Sequence, residues 1–148
     1  MSADPADVQA IEALQRRYAR LNDEGRWQEL AELFTEDASL ARPSDPEHPI
    51  VGRPALLASF LARPARPARH LVANPEVELL GPDDARASCY SILLQAAGEG
   101  TGSVSVGGFQ DRLKRTPEGW RFAARLGSTE FDPVPFVARP KARSEPRA

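Results

Sequence analysis

The chain reads as an α+β protein, with helices first and then a meandering, mainly antiparallel sheet. Three observations predict this. Apolar residues recur at helical spacing near the start, four strand-like runs follow from about residue 70, and short Gly/Pro/Asp turns separate those runs. Helices followed by a series of strands, rather than alternating with them, put the helices on one face of the sheet.

Asp4-Pro5-Ala6-Asp7 is a helix start, with proline and acids in the first turn. Ile11, Leu14, Tyr18 and Leu21 then form one apolar stripe, while Arg16, Arg17 and Arg20 fall off it toward water. Gly25 is a C-cap residue. Trp27, Leu30, Ala31, Leu33 and Phe34 mark a second short helix, joined to the first by the tight Asp23-Glu24-Gly25 turn. A short strand is expected from Asp37-Ala38-Ser39-Leu40, followed by a Pro-rich loop through Pro43, Pro46 and Pro49. A third helix opens at Gly52-Arg53-Pro54 and runs to about Leu61. The segment Arg63–Arg69 carries Pro64 and Pro67 and must be a connector. Strands are expected at about 70–80, 85–97, 102–115 and 119–131.

The 148 residues suit a single domain over 1–132 that buries roughly 70% of its unfolded surface. Residues 133–148, rich in Pro and Arg, read as a partly disordered tail. A net charge of −2 argues against nucleic acid or an anionic membrane as the main partner. No apolar run approaches the ~20 residues that cross a bilayer, and the polar start Met1-Ser2-Ala3-Asp4 is no secretory leader. A single Cys89 fits a reducing compartment, so a cytoplasmic location is expected.

His70 is one of two histidines and sits inside a strand pattern, whereas His48 lies in the Pro-rich loop. A neutral imidazole can take a proton at working pH if a carboxylate fixes its tautomer and offsets the charge that forms. Asp23, ending the first helix, and Arg125, late in the last strand, are candidate partners. The simpler readings are a structural histidine, a solvated helix-end acid, and an arginine paired with Glu130 or Asp111. Glu47 with His48 makes no credible metal site, and no metal, flavin or nicotinamide signature is present, so no cofactor is expected.

Three pieces carry a resemblance to a known family. They are Tyr18 with Asp23-Glu24-Gly25-Arg26-Trp27 and Leu33–Ala38, then Arg69-His70 with Asn74, then Gly107–Asp111 with Gly119-Trp120-Arg121-Phe122. Together, over about residues 8–132, they resemble the SnoaL-like branch of the nuclear transport factor 2-like superfamily. That resemblance implies a cone-shaped α+β barrel, with three N-terminal helices packed in a curved sheet and a pocket in its mouth. It also implies a cofactor-free lyase or isomerase of the dehydratase or polyketide-cyclase type, acting on a small hydrophobic molecule.

The residues that match the positions of such sites are Asp23 and His70 as a dyad, Arg125 five residues after Trp120, and Tyr18. A second histidine that scytalone dehydratase carries on the sheet has no counterpart here. Leu40, Asn74, Leu93 and Phe109 are expected to line the pocket. Trp27 and Trp120 are expected in the core, and Cys89 is not expected to act as a nucleophile. The resemblance further implies a homodimer or higher homo-oligomer through the outer sheet face. It leaves room for a non-catalytic ligand-binding or assembly module, like the small subunits of ring-hydroxylating dioxygenases. Epoxide hydrolysis would need an Asp–Arg–Asp set, of which Asp111 and Arg125 supply only part.

Overall fold

The computed structural model describes residues 4–137. In chain order the elements are α1 (Pro5–Glu24), α2 (Trp27–Glu32), β1 (Phe34–Arg42), β2 (Asp45–Val51), α3 (Arg53–Leu61), β3 (Ala68–Leu79), β4 (Asp84–Gly98), β5 (Thr101–Thr116), β6 (Gly119–Thr129) and β7 (Val134–Val137). The fold is α+β, as the order of patterns predicts, with the N-terminal helices packed against a curved sheet that does not close. Its strands lie in the order β2-β1-β6-β5-β4-β3, and β7 adds to β5. All pairings are antiparallel except β1 with β6.

Local chemistry sets the helix ends. The Asp4 carboxylate accepts from Ala6 N–H at 2.9 Å, and Gly25 takes the left-handed conformation at φ 68° that stops α1. The expected stripe is buried, but Gln15 is buried with it at 0% exposure. Tyr18 packs edge-on against Phe34, Phe109 and Phe122, at centroid distances of 6.0, 5.7 and 6.0 Å. Those contacts tie α1 to β1, β5 and β6. At the other end of the hairpin, Arg63 donates to Asn22 Oδ1 at 2.6 Å and lies 4.7 Å over the Phe60 ring. It braces the end of α1 from the end of α3.

Three boundaries differ from the sequence expectation. The Pro-rich loop is largely strand β2, a hairpin partner of β1 through Ser39↔Val51 and Leu40↔Ile50. Pro46 and Pro49 are tolerated there because β2 is an edge strand. Phe34 opens β1 instead of closing α2. Residues 134–137, expected in the tail, pair with β5 as an outer strand, while residues 138–148 of that expected tail lie outside the described residues. Register breaks in β1, β3 and between β5 and β6 give the sheet local bends. The break in β3 falls at Asn74, whose φ is 49°.

Asp7 locks the start of α1 to the hairpin end of the neighbouring strands β5 and β6. Its carboxylate accepts from Arg115 at 2.6 Å and from Trp120 Nε1 at 3.0 Å, and Arg115 lies 4.7 Å over the Trp120 ring. The Arg115 hydrogen bond first, then that of Trp120, holds the Asp7 carboxyl below the usual carboxylate range. A lowered native pKa contributes stability that is fully present above the unfolded value, near 4, and lost as pH falls through the native one. Urea titrations at decreasing pH should therefore show a steeper acid loss in the natural chain than in Asp7→Asn. Superimposable acid limbs would contradict the role given to this carboxylate.

Candidate active site at the end of helix α1

Asp23 and His70, 47 positions apart in sequence, meet where the last turn of α1 reaches the start of β3. One carboxylate oxygen of Asp23 accepts the His70 backbone N–H at 2.8 Å, and the other lies 2.5 Å from His70 Nδ1. The two side chains are 7% and 19% exposed. An acid near a helix C-terminus opposes the helix dipole, and here two hydrogen bonds offset that cost. β3 is an edge strand, so its outward N–H groups need partners, and Asp23 supplies one. An ionised carboxylate only accepts, so the bond to Nδ1 requires Nδ1–H, and in the neutral ring the lone pair is then on Nε2. That is the proton state of a general base.

The opening beside the dyad is a crevice of about 380 Å³ between α1 and the edge of β3. Arg16, Ala19, Arg20 and Asp23 line it from α1 at the i, i+3, i+4, i+7 spacing of one helix face, and Arg69, Leu71 and Val72 line it from β3. On the inner face of the sheet His70 is in register with Leu93, and Leu93 with Ser105, so the three side chains share one face. Leu93 is half-buried there.

Arg125 stands elsewhere. It is 1% exposed, and its Nε and Nη2 donate to Asp111 at 2.8 and 3.3 Å. Gln15 Nε2 donates to the same carboxylate at 3.1 Å. The guanidinium lies 4.3, 4.0 and 4.4 Å from the rings of Tyr18, Phe109 and Phe122. Of the two partners the sequence offers, Asp111 is the one used. The expected role of Arg125 in meeting a developing anion is corrected by this burial, because its charge is already neutralised inside the core.

The remaining expected residues divide in the same way. Tyr18 is 4% exposed and projects about 140° around the helix from Asp23, so its ring faces the core and not the dyad. Leu40, at 0%, and Phe109, at 7%, are core residues. Asn74 is exposed at the bend of β3 and lines neither the crevice nor the outer groove. Burial pushes the Cys89 thiol above its ordinary value, against the opposing charge of Arg125, which keeps it protonated. His48 pairs with Asp45 at 2.6 Å on β2 and is exposed. Among the described residues no three His, Cys, Asp or Glu side chains gather as metal ligands would. No described helix is long and apolar enough to cross a membrane.

Sequence reasoning passed over Gln15, Asp111 as a core anion, and the crevice arginines. Gln15 is legible as a polar residue on the buried stripe. Arg16 and Arg20 share the helix face of Asp23, a spacing visible in the sequence once Asp23 is singled out.

Comparison with known proteins places the chain. A family model described as a SnoaL-like domain matches residues 4–126. A nuclear transport factor 2-like protein with a cystatin-like fold from Novosphingobium aromaticivorans has 27% identity, covers 84% of this chain and 82% of its own, and superposes with a TM-score of 0.75. A protein of unknown function from Mycobacterium tuberculosis has 28% identity, with 86% and 78% covered and a TM-score of 0.72. A Novosphingobium aromaticivorans structure provisionally named a scytalone dehydratase has 21% identity, with 95% and 96% covered and a TM-score of 0.75, a likeness of fold. No curated protein matches the chain significantly in sequence.

The burial of Arg125 makes a sharp demand on Asp111. Asp111→Ala leaves the guanidinium without its counter-charge in a closed core and should cost about 3–5 kcal/mol in urea unfolding. A loss within about 1 kcal/mol, the range of a surface pair, would contradict the buried pairing.

Proposed function

The chain belongs to the SnoaL-like domain family, and on that premise we propose that it is a cofactor-independent lyase or isomerase of the dehydratase or cyclase type. His70 removes a proton from a small organic substrate. The observation that supports this most is the double hold of Asp23 on His70, at 2.5 Å to Nδ1 and 2.8 Å to the backbone N–H. Asp23 keeps the proton on Nδ1, so Nε2 receives the substrate proton, and the carboxylate then offsets the imidazolium charge. The backbone bond fixes the carboxylate so that it cannot swing away from the ring. Ala19, Leu71, Val72 and Leu93 offer hydrocarbon surface around the dyad. Dehydration, dehydrohalogenation, double-bond shift and ring closure all begin with this step. In this reading Arg125 and Tyr18 position the core wall behind the site and touch no substrate.

A second reading, an assembly module without catalysis, draws on the interior of the sheet, which is filled by Tyr18, Phe109, Phe122 and Arg125. It also draws on a groove of about 1030 Å³ across the outer sheet face, away from the dyad. The same face supports the proposal of a homodimer, because Tyr90, Leu94 and Leu126 are exposed on it at 53%, 38% and 48%. A reducing, cytoplasmic setting suits the single thiol of Cys89.

Turnover of nitrobenzisoxazole, a general probe of carbon deprotonation by a positioned base, separates the two readings. The natural chain should accelerate its ring opening, His70→Ala should lose about 10²–10⁴-fold while staying folded, and Asp23→Asn should lose less. Turnover that survives His70→Ala unchanged would remove the enzyme reading. For the outer face, sedimentation should show a dimer that Tyr90→Asp dissociates. A natural chain that sediments only as monomer at micromolar concentration would remove the dimer.

A further inference from the structure

We propose that the crevice beside the dyad takes an organic acid anion, a carboxylate on a short hydrocarbon frame, with Arg69 as its anchor. The proposal deepens the reading of His70 as a base and rests on it for the reaction, though not for the binding. Three arginines, Arg16, Arg20 and Arg69, face this one small cavity. Two of them already have acids nearby, Arg16 with Glu12 at 3.8 Å and Arg20 with Glu24 at 3.4 Å. Glu24 is itself shared, since Arg26 reaches it at 3.0 Å and is the main cause of its lowered pKa.

Arg69 differs from both. Its hydrogen bond is to the neighbouring Ala68 carbonyl at 2.8 Å, and no described carboxylate lies within salt-bridge distance of it. It directly precedes His70, and its outward strand position puts it beside Leu71 and the crevice wall. Asp23, the acid of the dyad, is turned to His70 with both oxygens, one to Nδ1 and one to the backbone N–H.

The cavity therefore offers one guanidinium bonded only to a backbone carbonyl, two already beside carboxylates, and apolar surface from Ala19, Leu71 and Val72. A planar guanidinium matches a carboxylate in a two-point grip. At about 380 Å³ the space lies at the small end of ligand sites. The acid group would be a handle remote from the reacting carbon, and its binding energy would hold that carbon against Nε2 of His70.

Titrating the full chain with benzoate and with benzyl alcohol, its neutral counterpart, and following amide shifts by NMR tests the proposal. Benzoate should saturate, shift the signals of Arg69–Val72, bind about three- to tenfold more tightly than the alcohol, and weaken with salt. Arg69→Gln should reduce benzoate to the affinity of the alcohol. Equal affinities for the two probes, or benzoate binding untouched by Arg69→Gln, would overturn the anion site. Failed benzoate preference alongside nitrobenzisoxazole turnover that His70→Ala abolishes would overturn the anion site alone. Benzoate binding alongside turnover that His70→Ala leaves intact would overturn the base alone.

Discussion

Arg125 heads the fully buried side chains of the core by size, and its guanidinium dictates what stands around it. Taking that charge out of water costs several kcal/mol even after relaxation, so the structure must surround it with compensation. Asp111 answers with two hydrogen bonds from the neighbouring strand, in register with Arg125 itself. Gln15 brings α1 onto the same carboxylate, and Tyr18, Phe109 and Phe122 offer their ring faces to the cation. The helix, β5 and β6 are thereby locked at one depth and one rotation. The centre of the sheet becomes a packed polar-aromatic core.

That packing decides where chemistry can occur. With the middle of the sheet filled, the crevice that reaches the Asp23–His70 pair lies at the rim, where α1 ends and β3 begins. Two features make the rim chemically able. Gly25 stops the helix with Asp23 in its last turn, and the edge position of β3 leaves the His70 N–H free to be taken by that carboxylate. Arg63 holds the end of α1 through Asn22 and stacks on the α3 aromatic Phe60, which steadies the Asp23 side of the pair. The dyad is thus held on three elements while only one ring nitrogen faces outward.

Much of this was legible in the residues. The α1 stripe, the turn at Gly25, the start of α3 at Pro54 and the four long strands follow from period and turn chemistry. β2 was not, because its prolines read as loop and only its edge position makes them acceptable. The parallel pairing of β1 with β6 was equally hidden, since it joins segments at least 85 residues apart, as Leu40 to Arg125, with no local signal. Asp23 and His70 came together through the family resemblance, because no periodicity links residues on separate elements. Arg125 shows the opposite limit. Its position in the last strand was legible, but whether it points at a ligand or a core carboxylate depends on which face of β6 it occupies. Pairing with Asp111 was one of the two partners the composition offered, and the register of β5 and β6 selects it.

The proposed chemistry depends most on the proton state that Asp23 imposes on His70. Nitrogen-15 NMR of the imidazole, in the pH range where the ring is neutral, reads that state directly through the couplings of each ring nitrogen to the carbon-bound protons. The natural chain should show the Nδ1–H tautomer, with an acceptor-type Nε2 signal, and Asp23→Asn should lose it in favour of a tautomer mixture. A natural chain whose neutral His70 carries its proton on Nε2 would contradict the assignment of His70 as the base.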